Sequence, residues 1–135
     1  MINELSLSIP GSPIAKKRPR FARRGKFVTT YNDQQTEEGK FICIMQAQLK
    51  NHQPIPVGVP IHLEVFFGMP YPASMSQKKR NGAEHTKKPD IDNLLKFLKD
   101  CGNGILWHDD SQVVSVEAQK AYSDIPGTNL ILRWG

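Results

Sequence analysis

Long apolar stretches are missing from this 135-residue chain. The longest unbroken run is Phe41 to Met45, far below the roughly 20 residues that cross a bilayer. The start, Met1-Ile2-Asn3-Glu4 into Leu5-Ser6-Leu7, has neither the basic leader nor the long apolar core of a signal peptide. A cytoplasmic protein without a membrane partner is expected. Cysteine is scarce: Cys43 and Cys101 stand far apart, with no CxxC and no Cys/His cluster. That excludes a zinc ribbon or a disulfide scaffold and predicts two buried thiols. Also missing are GxxxxGK[ST], GxGxxG and GxSxG, so phosphate loops and serine nucleophile elbows find no support. The apolar share of 39% and charged share of 23% are those of an ordinary globular protein rather than a disordered or fibrous one. With no internal repeat and no linker, residues 1–135 read as a single domain.

What the chain has in excess is positive charge, with 18 Lys and Arg against 13 Asp and Glu and a pI near 9.3. Such a balance suggests an anionic partner. The charge is clustered. Lys16, Lys17, Arg18, Arg20, Arg23, Arg24 and Lys26 form one run without an acid, and Lys78, Lys79, Arg80, Lys87 and Lys88 form a second that contains Glu84 alone. Arg18-Pro19-Arg20-Phe21 sets guanidinium forks beside an aromatic ring, a combination that grips phosphate and stacks on bases. Between residues 90 and 110 the sign reverses: Asp90, Asp92, Asp100, Asp109 and Asp110 stand against Lys96 and Lys99.

The apolar periodicity predicts an α/β (α+β) chain with a mixed sheet and two helices, in the order β-α-β-α-β-β. Leu5, Leu7 and Ile9 alternate as a first strand ended by Pro10-Gly11. The first basic run follows as a loop. Phe41, Ile44, Met45 and Leu49 predict a helix over about 32–51, with Asn32 or Asp33 as N-cap. Ile61, Leu63, Val65 and Phe67 give a second strand, and residues 68–88 read as a long, mobile, basic loop. Leu94, Leu95, Leu98 and Cys101 predict a helix from about Asp92 to Gly102 or Gly104. Strands follow over Val113–Gln119 and Leu130–Trp134, with Pro126-Gly127 between them.

Asp90 and Asp92 straddle the predicted start of the second helix. One carboxylate there serves as a cap, but two do more than a cap requires, and Lys96 lies one turn on from Asp92. A strand returning beside the helix would bring Asp109 or Asp110 back toward them. Carboxylates gathered in one place are held by a hard divalent cation with oxygen ligands, typically Mg²⁺. Such an ion activates water and polarises a phosphoryl oxygen, and Lys96 offsets the developing charge. An EF-hand starting at Asp90 is excluded by Leu95 and Cys101 at its sixth and twelfth positions. His85 and His108 are acid/base candidates by residue type alone, a surface role being the simpler reading.

Lys88-Pro89-Asp90-Ile91-Asp92-Asn93-Leu94-Leu95-Lys96, then Gly104-Ile105-Leu106-Trp107-His108-Asp109-Asp110-Ser111-Gln112-Val113-Val114 and Lys120, resemble the RusA family of Holliday-junction resolvases, endodeoxyribonucleases often carried by phages and prophages. The resemblance covers positions 88 to 120. It implies a small homodimer that binds four-way DNA junctions by their structure in recombination and repair, and nicks them in symmetric pairs with Mg²⁺ or Mn²⁺. It carries the family's metal-binding aspartates onto Asp90, Asp92 and Asp110, and its catalytic lysine onto Lys96. Asp109 matches the less critical acid. Where some members carry arginines before the first aspartate, this chain has His85-Thr86-Lys87-Lys88-Pro89, which moves the expected phosphate contacts to Lys87 and Lys88. The residues from Lys16, Lys17 and Arg18 to Arg20, with Arg23 and Arg24, complete the expected DNA surface. Two alternatives remain open: a basic nucleic-acid-binding module without catalysis, in which the aspartates only cap a helix, and a nuclease for other branched DNA.

Overall fold

The computed structural model describes residues 2–17, 20–24, 27–31 and 35–135. Four strands make one mixed sheet: β1 (Asn3–Pro10), β4 (Ile61–Met69), β5 (Val113–Tyr122) and β6 (Gly127–Trp134), in the order β1-β6-β4-β5. β6 runs antiparallel to both β1 and β4, and β5 runs parallel to β4. The period-two pattern does what it predicts: Leu7 and Ile9 of β1, Ile61, Leu63, Val65 and Phe67 of β4, and Leu130 and Leu132 of β6 are all buried on one face. Two helices cover that face, α1 (Gln35–Leu49) through Phe41, Met45 and Leu49, and α3 (Ile91–Gly102) through Leu94, Phe97, Leu98 and Cys101. They meet where the Phe41 and Phe97 rings pack edge to face, 5.5 Å between centroids. Among the described residues no helix is long and apolar enough to cross a membrane.

Three expectations need correction. The basic run after β1 is not wholly loop, because Arg20–Arg24 (β2) and Phe27–Tyr31 (β3) pair as an antiparallel hairpin. Phe27-Val28-Thr29-Thr30-Tyr31 is rich in β-branched and aromatic residues, which favour that state. The stretch after β4 is also ordered, with a short helix α2 (Gln77–Arg80) whose N-cap is Ser76. Of the two thiols, Cys101 is buried but Cys43 is exposed, since position 43 falls between Phe41 and Met45 on the outer side of α1. The expected caps Asn32 and Asp33 lie outside the described residues.

The sheet's two edges differ. On β1, the Gln48 side-chain amide of α1 accepts from the Ser8 N–H and donates to the Ser8 carbonyl, replacing a neighbouring strand there. At β5 the outer edge has no strand beside it among the described residues, and Val114 and Val116 are exposed.

A parallel pair needs a crossover, and α3 lies in the one that joins β4 to β5. It ends where Trp107, fully buried, lays its ring on Gly102 and donates Nε1–H to Asn103 Oδ1 at 2.8 Å. A methyl group on Gly102 would come within 2.8 Å of that ring. Gly102→Ala is therefore expected to lower stability by about 1–3 kcal/mol, read from denaturant unfolding. Burial pushes the Cys101 thiol up to about 12. A thiol reagent at pH 8 should label one cysteine in the folded protein and two in denaturant, the native site being Cys43.

Candidate active site

Asp90 is the N-cap of α3, with the extended backbone of a cap (φ −73°, ψ 149°), yet its carboxylate makes no capping hydrogen bond. An exposed carboxylate at the positive end of a helix, free of the cap's usual partner, is available to something else. Asp92 follows in the first turn and Lys96 one turn later, both exposed, while Leu94, Phe97 and Leu98 turn the opposite side of the helix into the core. The structure thus brings Asp90, Asp92 and Lys96 to one exposed helix end. Lys87 and Lys88, also exposed, immediately precede it.

The approach to Asp90 is tied down from β5. Lys120 Nζ donates to the carbonyls of Lys87 (2.7 Å) and Pro89 (2.9 Å), which flank the cis Lys88–Pro89 bond. Further back, the Tyr71 and Tyr122 rings stack at 4.9 Å, and the Arg80 guanidinium lies 4.8 Å over Tyr71. Arg80 Nε also donates to the Met75 carbonyl, and His85 meets Tyr122 edge-on. The stretch read as a mobile loop is therefore anchored on β5. Burial, helped by the Lys120 charge, holds the His85 pKa below the usual histidine value, which favours the neutral imidazole.

Asp109 and Asp110 lie elsewhere. Gln112, buried, accepts through Oε1 from the His108 and Asp109 N–H groups and donates through Nε2 to the Pro56 and Val59 carbonyls. This fixes the 3-10 turn Asp110–Gln112 beside the start of β4. Asp109 caps the turn, and the Ser111 N–H holds its carboxyl below the usual range. β5 does return beside α3, but in the opposite direction: Val113 pairs at Ile61, while Lys120, level with Phe67, reaches Pro89. Asp110 is accordingly at the C-terminal end of α3, and the helix's 12 residues put about 18 Å of axis between it and Asp90. The expected return of Asp109 or Asp110 to Asp90 and Asp92 does not occur within one chain. Among the described residues, no three His, Cys, Asp or Glu side chains gather as a metal cage.

The pair at the helix start still suits a hard cation. Two exposed carboxylates are the protein share that Mg²⁺ commonly takes, the rest coming from water and substrate phosphate. A family model described as Endodeoxyribonuclease RusA matches residues 10–133. The chain belongs to the RusA endodeoxyribonuclease family. Uncharacterized protein YqaN of Bacillus subtilis (strain 168) is 31% identical over 135 residues, covering 96% of this chain and 95% of YqaN. The crossover junction endodeoxyribonuclease rusA of Lactococcus phage r1t is 38% identical over 80 residues, 56% of this chain and 58% of the phage protein.

In this RusA-family chain the first basic run divides. Lys16 Nζ lies 3.1 Å from Glu38 and 3.2 Å from Asp100, its N–H bonds the Asn93 carbonyl, and Lys17 pairs with Glu37 at 3.5 Å. Lys16 thus fastens the segment after β1 onto both helices, with its charge offset. Arg18 and the side chains of Arg20, Arg23 and Arg24 lie outside what is described. Burial works against the Lys16 ammonium, but its hydrogen bonds to Glu38 and Asp100 prevail and the pKa is raised above 10.5. A raised folded-state value makes the Lys16 contribution complete below 10.5 and lost as pH climbs through the folded value. Lys16→Met should lower the melting temperature at pH 7 to 9, and the gap to the parent should narrow as the pH is raised beyond 10.5.

Proposed function

We propose that this chain is a metal-dependent, structure-selective endodeoxyribonuclease that resolves four-way DNA junctions by paired symmetric nicks, acting as a homodimer. The observation that carries the reading is the Asp90–Asp92 pair, a cap position whose carboxylate does not cap, beside Lys96 and the exposed Lys87 and Lys88. It lies at the carboxyl ends of the parallel strands β4 and β5, the place where open α/β sheets bind ligands. Membership of the RusA family and the likeness to the phage crossover junction endodeoxyribonuclease support the same reading.

In this reading Asp90 and Asp92 hold Mg²⁺, or Mn²⁺ in its place. When bound, the ion supplies a water of lowered pKa and polarisation of the phosphoryl oxygen. Lys87 and Lys88 bind the phosphate backbone that leads into the site. Lys96, on the exposed side one turn from Asp92, balances the negative charge that develops on the phosphate. Asp110 joins from a second chain, which the distance within one chain and the open edge of β5 both favour. Two sites related by a two-fold axis suit a substrate that is itself two-fold.

The test is a nicking assay on a labelled four-way junction beside linear duplex and flap DNA, with Mg²⁺ or chelator, for the parent and Asp92→Asn. Removing a ligand charge should slow cleavage by about two orders of magnitude or more, since even residues behind the ligands cost 10–100-fold. Junction affinity should hold or rise as repulsion of phosphate falls. Asp92→Asn cutting at the parental rate would remove the pair from catalysis. Junction binding without cutting under either metal would indicate a binding module, and preference for flaps another branched substrate.

A further inference from the structure

We infer that Lys120 is a positioning residue for the Asp90–Asp92 pair, acting through the two carbonyls that it clamps; this rests on the catalytic reading of that pair. Lys120 sits level with Phe67 on β5, on the side of the strand whose neighbours pack against the core. Phe67 is buried, and Tyr122 two positions on packs against the core. A charged side chain there needs a reason, since burying part of an ammonium is unfavourable unless its N–H groups are bonded. Among the described residues Lys120 forms no ion pair. Its partners are instead the carbonyls of Lys87 and Pro89, at 2.7 and 2.9 Å.

Those carbonyls belong to a stretch held otherwise by the contact of the His85 ring with Tyr122. Among the described residues, no backbone-to-backbone hydrogen bond joins residues 84–89 to the rest of the protein. Pro89 has no N–H to offer, and α3 begins its own bonding with Leu94 N–H to the Asp90 carbonyl. Asp90 therefore inherits its direction from Pro89, and Pro89 is fixed by Lys120. Groups behind a metal ligand that set its orientation commonly change metal affinity or activity by 10–100-fold. Lys120 stands in that relation to Asp90, one peptide away, without touching it.

Three variants test this. Lys120→Met keeps length and removes every donor, Lys120→Gln keeps donors without charge, and Lys120→Arg keeps both. Two readouts apply: hydrogen exchange at Leu94, whose N–H bonds the Asp90 carbonyl, in the free protein, and single-turnover junction cleavage across Mg²⁺ concentrations, with junction affinity measured separately. In Lys120→Met, exchange at Leu94 should rise while α1 and β6 keep their protection. Cleavage should fall about 10–100-fold, recover in part at high Mg²⁺, and leave junction affinity within about twofold. Lys120→Arg should approach the parent, and Lys120→Gln should lie between Arg and Met.

Unchanged exchange at Leu94 in Lys120→Met overturns the inference, as does unchanged cleavage. So does Lys120→Gln cutting as poorly as Met with parental exchange, which would assign Lys120 a direct role of charge. Should Lys120→Met not fold, Gln and Arg carry the same comparison. If the parent itself cuts no branched DNA with Mg²⁺ or Mn²⁺, the catalytic reading falls, and the exchange data still show whether Lys120 holds the segment.

Discussion

The parallel pairing of β4 with β5 is the constraint on which the rest of the structure depends. Two neighbouring strands that point the same way cannot be joined by a turn, so the chain must travel back the length of the sheet before β5 begins. α3 makes that return. Its N-terminus is thereby fixed at the carboxyl ends of the strands and its C-terminus at their start. The Asp90–Asp92 pair and the Asp109–Asp110 pair, separated by one helix in sequence, inherit opposite ends of the molecule. Each end is then secured locally, by Lys120 on the Pro89 carbonyl at one and by Gln112 on the Pro56 and Val59 carbonyls at the other.

Much of this architecture is legible in the sequence because it is periodic. Alternation in Leu5 to Ile9 and Ile61 to Phe67, and three-and-four spacing in Phe41 to Leu49 and Leu94 to Cys101, mark the elements that build the core. The hairpin β2–β3 is hidden because Arg20 to Arg24 carries no apolar alternation. The anchoring of residues 70–88 escapes a periodic reading as well, since Tyr71, Arg80, His85 and Tyr122 come together from scattered positions. At the site, residue types reveal the acids and Lys96. They do not reveal that the returning strand runs against the helix, and so the two acidic pairs are read as neighbours. Lys120 ends the sequence motif, but one lysine in a strand carries no sign that its partners are carbonyls 31 and 33 residues earlier.

The distribution of charge has a further logic. A basic protein that handles a polyanion must keep some cations free and others engaged. Lys16 and Lys17 are matched by Glu38, Asp100 and Glu37, so they stitch secondary structure together. Lys87 and Lys88 are exposed beside the acidic helix end. Formal net charge does not separate these roles, whereas the pairing geometry does.

The two edges of the sheet differ in what they leave open. Gln48 occupies the Ser8 N–H and carbonyl on the β1 side, and Pro10 offers no N–H at the end of that strand. Among the described residues, the β5 side has no such guard. Among the described residues, one margin of the sheet is thus blocked at Ser8 and the other is open. An edge that offers unpaired N–H and C=O groups beside exposed valines is where a further strand would add, and a side chain such as Gln48 is what removes that option at the other edge.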